Sequence, residues 1–232
     1  MLKTKLLLPL TIVLFAFANS GLQARGELGS DMLELRKLEP LRGKRVGLLT
    51  NPSGINSRGV STIQVLHRAP EVNLVALFGA EHGLDGKASA GKEVRDGTDP
   101  VTGLPVFSLY GPGPIRKPTE AMLRRIDILV YDLQDTGARS YTFISSMGMA
   151  MNACGKAGVE FMVLDRPNPL GGIRVEGPLF NPRFRSMVGQ WPIPYVYGMT
   201  CGELARLLNK EGMIEHPCVL YIVPMRGWKR DM

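Results

Sequence analysis

Glu81 and His82 stand side by side in LVALFGAEHGLDG, residues 74–86, directly after an apolar run and between glycines. A carboxyl group beside an imidazole is a pair that exchanges protons near neutral pH, so the residue types point to general acid and base work. The chain has only three histidines, and Glu81, set among small residues in a turn, contributes neither packing nor helix capping in any evident way. Other polar groups follow other apolar runs: Asn51 after RVGLLT, Ser108 and Tyr110 after LPVFSL, Asp132, Gln134 and Asp135 after DILVYDL, and Asp165, Arg166 and Asn168 after EFMVLD. Arg139 and Tyr141 lie just beyond Asp135. Carboxylates with an imidazole and a guanidinium suit proton transfer at an acetal or ester, with Arg139 or Arg166 able to hold an anionic group. Structural readings stand beside these: Asp132 and Asp165 could cap loops, and Arg139 could pair with Asp135.

The elements that must gather these residues are legible from periodicity. Runs at 45–50, 73–79, 104–109, 127–133 and 160–165 are continuously apolar and rich in Val, Ile, Leu and Phe, as expected of strands buried on both faces; a sixth follows at 219–223. Helical patterns fall between them, at 60–68, 118–123, 141–156 and 202–212, the last with Gly212 as its stop. Alternating strand and helix predicts an α/β fold with a mainly parallel sheet flanked by helices. In such a sheet the carboxyl ends of the strands share one edge, where open α/β folds bind ligands. Asn51, Glu81, Asp132 and Asp165 are therefore expected along one edge. Residues 167–194 crowd prolines and glycines without a period, which predicts a long ordered loop over the sheet.

Several function classes are excluded. With 44% hydrophobic and 21% charged residues the chain is globular and not disordered. The net charge of +7 comes from scattered Lys and Arg with no nucleic-acid motif, so nucleic acid is not an expected partner. The turn TNPSGINSRG lacks the G-x-G-x-x-G spacing of a dinucleotide site, and YGPGPIRKP does not supply it. No HExxH or cysteine cluster offers a metal site, no G-x-S-x-G offers a serine nucleophile, and no cofactor is expected. Cys154, Cys201 and Cys218 are too few and too scattered for a disulfide framework, with a Cys201 to Cys218 bridge left open. Residues 1–20, with Lys3 and Lys5 ahead of an apolar run from Leu6 to Ala18 and small residues Ala18 and Ser20 placed for cleavage, read as a signal peptide, with an uncleaved N-terminal anchor as the alternative; the expectation is export to the periplasm or medium with no membrane span after cleavage.

FGAEHG, DPVTGLPVFSLYG, IDILVYDLQDTGARSYTFISS, VLDRPNPLGG, VEGP and GMTCGELA, in that order, together resemble the exo-β-N-acetylmuramidases, glycosidases formerly grouped as a domain of unknown function. The resemblance runs from about residue 45 to 230. It implies a Rossmann-like catalytic domain over 45–232 after a lead-in at 21–44, a smaller C-terminal domain largely missing here, and release of terminal non-reducing N-acetylmuramic acid from peptidoglycan fragments. By motif it implies Glu81 as the catalytic carboxylate with His82 and Asp135 beside it, and Asn51, Arg139, Tyr141, Asp165, Arg166 and Asn168 around the saccharide. Departures are Ala80 where Pro is frequent, the surroundings of Asp85 where Arg is frequent, and Tyr197 where His is frequent. A missing domain would leave Trp191, Ile193 and Tyr195 exposed. Glycoside hydrolysis fits the residues independently, since it uses a pair of carboxyl groups, about 5 Å apart for retention and roughly 6.5 to 9.5 Å for inversion. The alternative is a saccharide-binding homologue without turnover; an esterase or amidase would need a nucleophile or metal that the sequence does not offer.

Overall fold

The computed structural model describes residues 26–111 and 116–232, so the signal-peptide reading of residues 1–20 lies outside the described residues. Seven strands form one sheet: β1 (Arg45–Thr50), β2 (Asn73–Gly79), β3 (Gly97–Thr98), β4 (Pro105–Ser108), β5 (Ile128–Asp132), β6 (Glu160–Leu164) and β7 (Leu220–Val223), in the order β3-β4-β2-β1-β5-β6-β7. All pairings are parallel except β3 with β4. The six apolar runs are thus six parallel strands. The two-residue β3 is too short to show a period and was not foreseen.

Continuous apolarity follows from burial on both faces. One core takes Leu49, Ala76, Phe78, Leu129, Tyr131, Phe161 and Val163 from the sheet and packs them under α4 (Phe143–Ala157) and α5 (Cys201–Lys210), with Leu123 of α3 (Glu120–Leu123) at its rim. The other takes the alternate residues, Val46, Leu48, Leu77, Ile128, Val130 and Met162, under α1 (Gly29–Leu35) and α2 (Thr62–Arg68). Alternation within each strand sends neighbouring side chains to opposite cores. The short α1 lies within the lead-in; its Gly29 sits so close to the ends of β6 and β7 that a Cβ would stand 2.3 Å from the Asp165 amide nitrogen. At α5, Thr200 and Glu203 form a reciprocal cap, and Gly212 takes the left-handed turn just past the end. Cys154, Cys201 and Cys218 are all free and buried, so the Cys201 to Cys218 bridge does not form. Among the described residues no helix is long and apolar enough to cross a membrane.

The proline-rich segment corrects one expectation. Trp191 and Ile193 are buried, at 3% and 2% exposure, and only Tyr195, at 45%, is exposed. The reason is a slot over α4: Gly148 has no side chain, the indole ring occupies that space, and Trp191 Nε1 donates to the Ile144 carbonyl at 3.0 Å. The exposed apolar residues of this region are instead Ile173, Val175, Leu179, Phe184 and Val188.

This slot yields a prediction. In Gly148→Ala the new Cβ would lie 2.2 Å from the Trp191 ring, so the indole must leave its seat, at a cost of about 1–3 kcal/mol for an overpacked site. Urea titration followed by tryptophan fluorescence reads both effects. Wild-type stability and an unshifted Trp emission would show that the loop is not seated through this contact.

Candidate active site

Thr50 pairs with Gly79 on one side and Asp132 on the other, and Gly79 pairs with Ser108. Four strand ends therefore lie in one row, and the residues that follow them emerge together. Glu81 is two residues past Gly79 and half-buried. Its Oε2 accepts a hydrogen bond from the Thr142 hydroxyl at 2.5 Å, and its Oε1 accepts from the Gly91 amide at 2.8 Å. Thr142 is the residue at which α4 begins. Each carboxylate oxygen has further lone-pair capacity, so Glu81 is held without being saturated.

The loop after Glu81 folds back over the strand ends, with the Val94 amide on the Tyr110 carbonyl at 2.8 Å and Asp96 accepting from the Ser108 amide at 2.8 Å. His82 has φ +69°, in the left-handed region that costs a side-chain-bearing residue energy. Its Nδ1 lies 2.7 Å from the Ala88 carbonyl. A carbonyl can only accept, so Nδ1 carries the proton and Nε2 of the neutral ring keeps a lone pair. Tyr141 is exposed and its ring meets Phe143 edge-on with centroids 6.2 Å apart. Tyr110 is buried, and burial, followed by the charge of Glu81, pushes its phenol up to about 12.

The remaining sequence-predicted residues divide by how their polar atoms are used. Arg166 is not free to grip an anion: at 4% side-chain exposure it donates through Nε to Asp132 at 2.6 Å and through Nη2 to the Ile55 carbonyl at 2.8 Å. Asp132, wholly buried, also accepts from Thr62 at 2.5 Å. The pair ties β5 to the turn after β6. Asp165 serves α5, accepting from the Gly202 amide at 2.8 Å and the Thr200 hydroxyl at 2.9 Å, while burial raises its carboxyl above the usual range against those bonds. Asn168 shapes its own loop, with Oδ1 on the Leu170 amide and Nδ2 on the Met199 carbonyl. Asn51 spends Oδ1 on Ser53, whose hydroxyl in turn accepts from the Gln134 amide.

Asp135 does not pair with Arg139. It is buried, accepts at Oδ2 from Tyr197 and from the Gly137 amide, and has no well-formed hydrogen bond at Oδ1 among the described residues; burial pushes its carboxyl up, against the bond from Tyr197. Arg139 uses one nitrogen, Nη1, on the Pro178 and Ile193 carbonyls at 2.9 and 2.5 Å, with its guanidinium over Phe180 and Tyr195. Nε and Nη2, the side-on edge that suits a carboxylate, make no hydrogen bond among the described residues. Sequence reasoning missed Thr142, whose reach to Glu81 depends on where α4 starts. It noted Tyr110 after the third strand without placing it in the site. Among the described residues no group of three or more His, Cys, Asp or Glu could hold a metal ion.

Residues 46–232 match the family model described as Exo-beta-N-acetylmuramidase NamZ, N-terminal. The chain is 49% identical over 206 residues to the peptidoglycan beta-N-acetylmuramidase NamZ of Bacillus subtilis, an alignment covering 89% of this chain and 49% of that protein. Two solved DUF1343 family proteins from Bacteroides fragilis are similar in fold: one at 52% identity and TM-score 0.84, covering 90% of this chain and 52% of the other, and one at 32% identity and TM-score 0.76, covering 89% and 54%. The chain spans about half the length of the relatives it matches.

The buried Asp132–Arg166 pair gives the prediction of this site. Arg166→Met strands a buried carboxylate, and breaking such a pair from one side costs about 3–5 kcal/mol. Adding Asp132→Asn should recover part of that loss, as coupled partners do. Both are read by urea denaturation. A single variant within about 1 kcal/mol of wild type would mean that Arg166 is not structural and is free for a ligand.

Proposed function

Because the chain belongs to the N-terminal family of the NamZ exo-β-N-acetylmuramidases, we propose that the protein is a glycoside hydrolase that releases terminal β-linked N-acetylmuramic acid from peptidoglycan fragments. The observation that carries this reading is Glu81: a carboxyl group at the ligand-binding edge of the sheet, fixed by Thr142 and Gly91 and still able to accept or donate. In this reading Glu81 transfers the proton at the glycosidic oxygen, the step that glycosidases assign to a carboxyl group. His82 is anchored through Nδ1 and so leaves Nε2 for a ligand, and Tyr141 offers an exposed ring on which a sugar face can rest. The free Nε and Nη2 edge of Arg139 fits the lactyl carboxylate of the sugar, which guanidinium can hold bidentately.

Asp135 supports the set from below through Tyr197 and does not face the sugar, being 4% exposed. Asn51 lends its Nδ2 at the rim. Asp165, Arg166 and Asn168 shape the edge from within. Residues 1–20 support export, which is where peptidoglycan fragments are met.

The test is Glu81→Gln. It keeps the shape and loses the proton, so release of N-acetylmuramic acid from a MurNAc-GlcNAc disaccharide should fall about 10² to 10⁴-fold. Stability should change by less than about 1 kcal/mol, the scale of one exposed hydrogen bond. Wild-type turnover in the variant would remove Glu81 from the chemistry. Saccharide binding without turnover in the wild type would leave the binding-protein reading.

A further inference from the structure

Tyr110 has no part in the chemistry assigned so far, yet its hydroxyl is placed where that chemistry happens. The side chain is 3% exposed, and among the described residues its hydroxyl completes no hydrogen bond of normal geometry, although Glu81 and Thr142 are near enough to act on it. A phenylalanine would fill the same space without stripping water from an oxygen, so an unpaired phenol here needs a reason. Its position supplies one. Gly79 of β2 pairs with Ser108 of β4, and Glu81 and Tyr110 each stand two residues beyond that pair. The same loop is laid over both, through Gly91 to the Glu81 carboxylate and Val94 to the Tyr110 carbonyl. The hydroxyl comes beside Glu81 and Thr142, which are already bonded to each other at 2.5 Å. Arg116 lies over the Tyr110 ring at 4.8 Å.

We propose that Tyr110 is a positioning residue for Glu81, its hydroxyl held in reserve to donate to the carboxylate once proton transfer leaves it charged. This rests on the glycosidase reading. In that step the proton leaves Glu81 for the glycosidic oxygen, which keeps the electron pair of the broken bond to the anomeric carbon; water then supplies the hydroxyl that replaces it and returns its other proton to Glu81. Glu81 is left with a charge that Thr142 and Gly91 already contact. A rotation of the Tyr110 hydroxyl adds a third donor, and Tyr110 itself gives up no proton. Burial and the neighbouring charge hold the phenol neutral through the working range, as a donor requires. The charged or titratable groups that face it are Glu81 from the end of β2 and Arg116 from the segment before α3; Thr142 from α4 carries no titrating proton.

The experiment has an arm that does not depend on turnover. In protein labelled with ¹³C-tyrosine, the Tyr110 Cζ resonance should step as pH falls through the acid range, because its neighbour changes charge, and the step should vanish in Glu81→Gln. A Cζ resonance that is flat with pH, or a step that survives Glu81→Gln, overturns the proposal. The kinetic arm is Tyr110→Phe, for which kcat should fall about tenfold, the worth of one hydrogen bond to a charged group, with KM within about twofold. The alkaline limb of its rate profile, where activity is lost as Glu81 gives up its proton to solvent, should move to higher pH, since a donor that favours the ionised carboxylate has gone. Unchanged kcat in a folded variant, or a loss shared by KM with an unmoved limb, also overturns it. A wild-type protein that shows the Cζ step but releases no N-acetylmuramic acid would sink the glycosidase reading and leave the Tyr110 to Glu81 contact standing.

Discussion

A strand buried on both faces has no place for a charge until it ends. Of the residues in β1, β2 and β5, those facing either core are apolar or small, and the polar groups appear at Thr50, Asp132 and just beyond Gly79. The constraint is one of desolvation, since an unpaired ion in the sheet interior would cost several kcal/mol. It makes the parallel sheet a device for collecting dispersed polar residues. Register does the rest: because Thr50, Gly79, Ser108 and Asp132 stand in one row, residues far apart in sequence, Thr50 and Asp132 among them, emerge as neighbours.

What each collected residue then does is settled by how far it is buried. Asp132 and Arg166 lie inside, so each must be fully answered by the other and by Thr62 and Ile55. Asp165 lies inside and is answered by the first turn of α5. Groups buried this deeply present almost no surface to a substrate. Glu81, His82, Tyr141 and the outer edge of Arg139 lie at the boundary with solvent, with one set of atoms anchored and another open. Anchoring with spare capacity is the condition for a group that must hold its geometry and still exchange a proton or grip a ligand.

This division explains what could be read from sequence. The six parallel strands were legible because two-sided burial writes itself as an apolar run, and their shared polar ends gave the site edge. The roles of Arg139 and Arg166 were not legible, because both follow a strand and carry the same charge; only burial separates the one that braces the sheet from the one with a free edge. Trp191 and Ile193 were read as exposed because the slot at Gly148 is a tertiary feature, and a glycine within a helical pattern does not announce what will fill the gap. The family resemblance reached Glu81 by motif, but Thr142 is recognisable only once α4 is seen to begin beside it.

The segment from Asp135 to Thr142 joins the two halves of the site. Asp135 is fixed to Tyr197, Arg139 to the carbonyls of the proline-rich loop, Ser140 to the Tyr195 hydroxyl at 3.0 Å, and Thr142 to Glu81. Opposite it, His82 is held in a left-handed conformation whose cost, roughly 1–3 kcal/mol, is offset in part by the bond from Nδ1 to the Ala88 carbonyl. In an extended backbone the side chains of Glu81 and His82 would point to opposite faces. The left-handed turn at His82 breaks that alternation. The strain is therefore tied to the local geometry: relaxing His82 to an extended conformation would release the turn after Glu81 and also pull Nδ1 from its anchor.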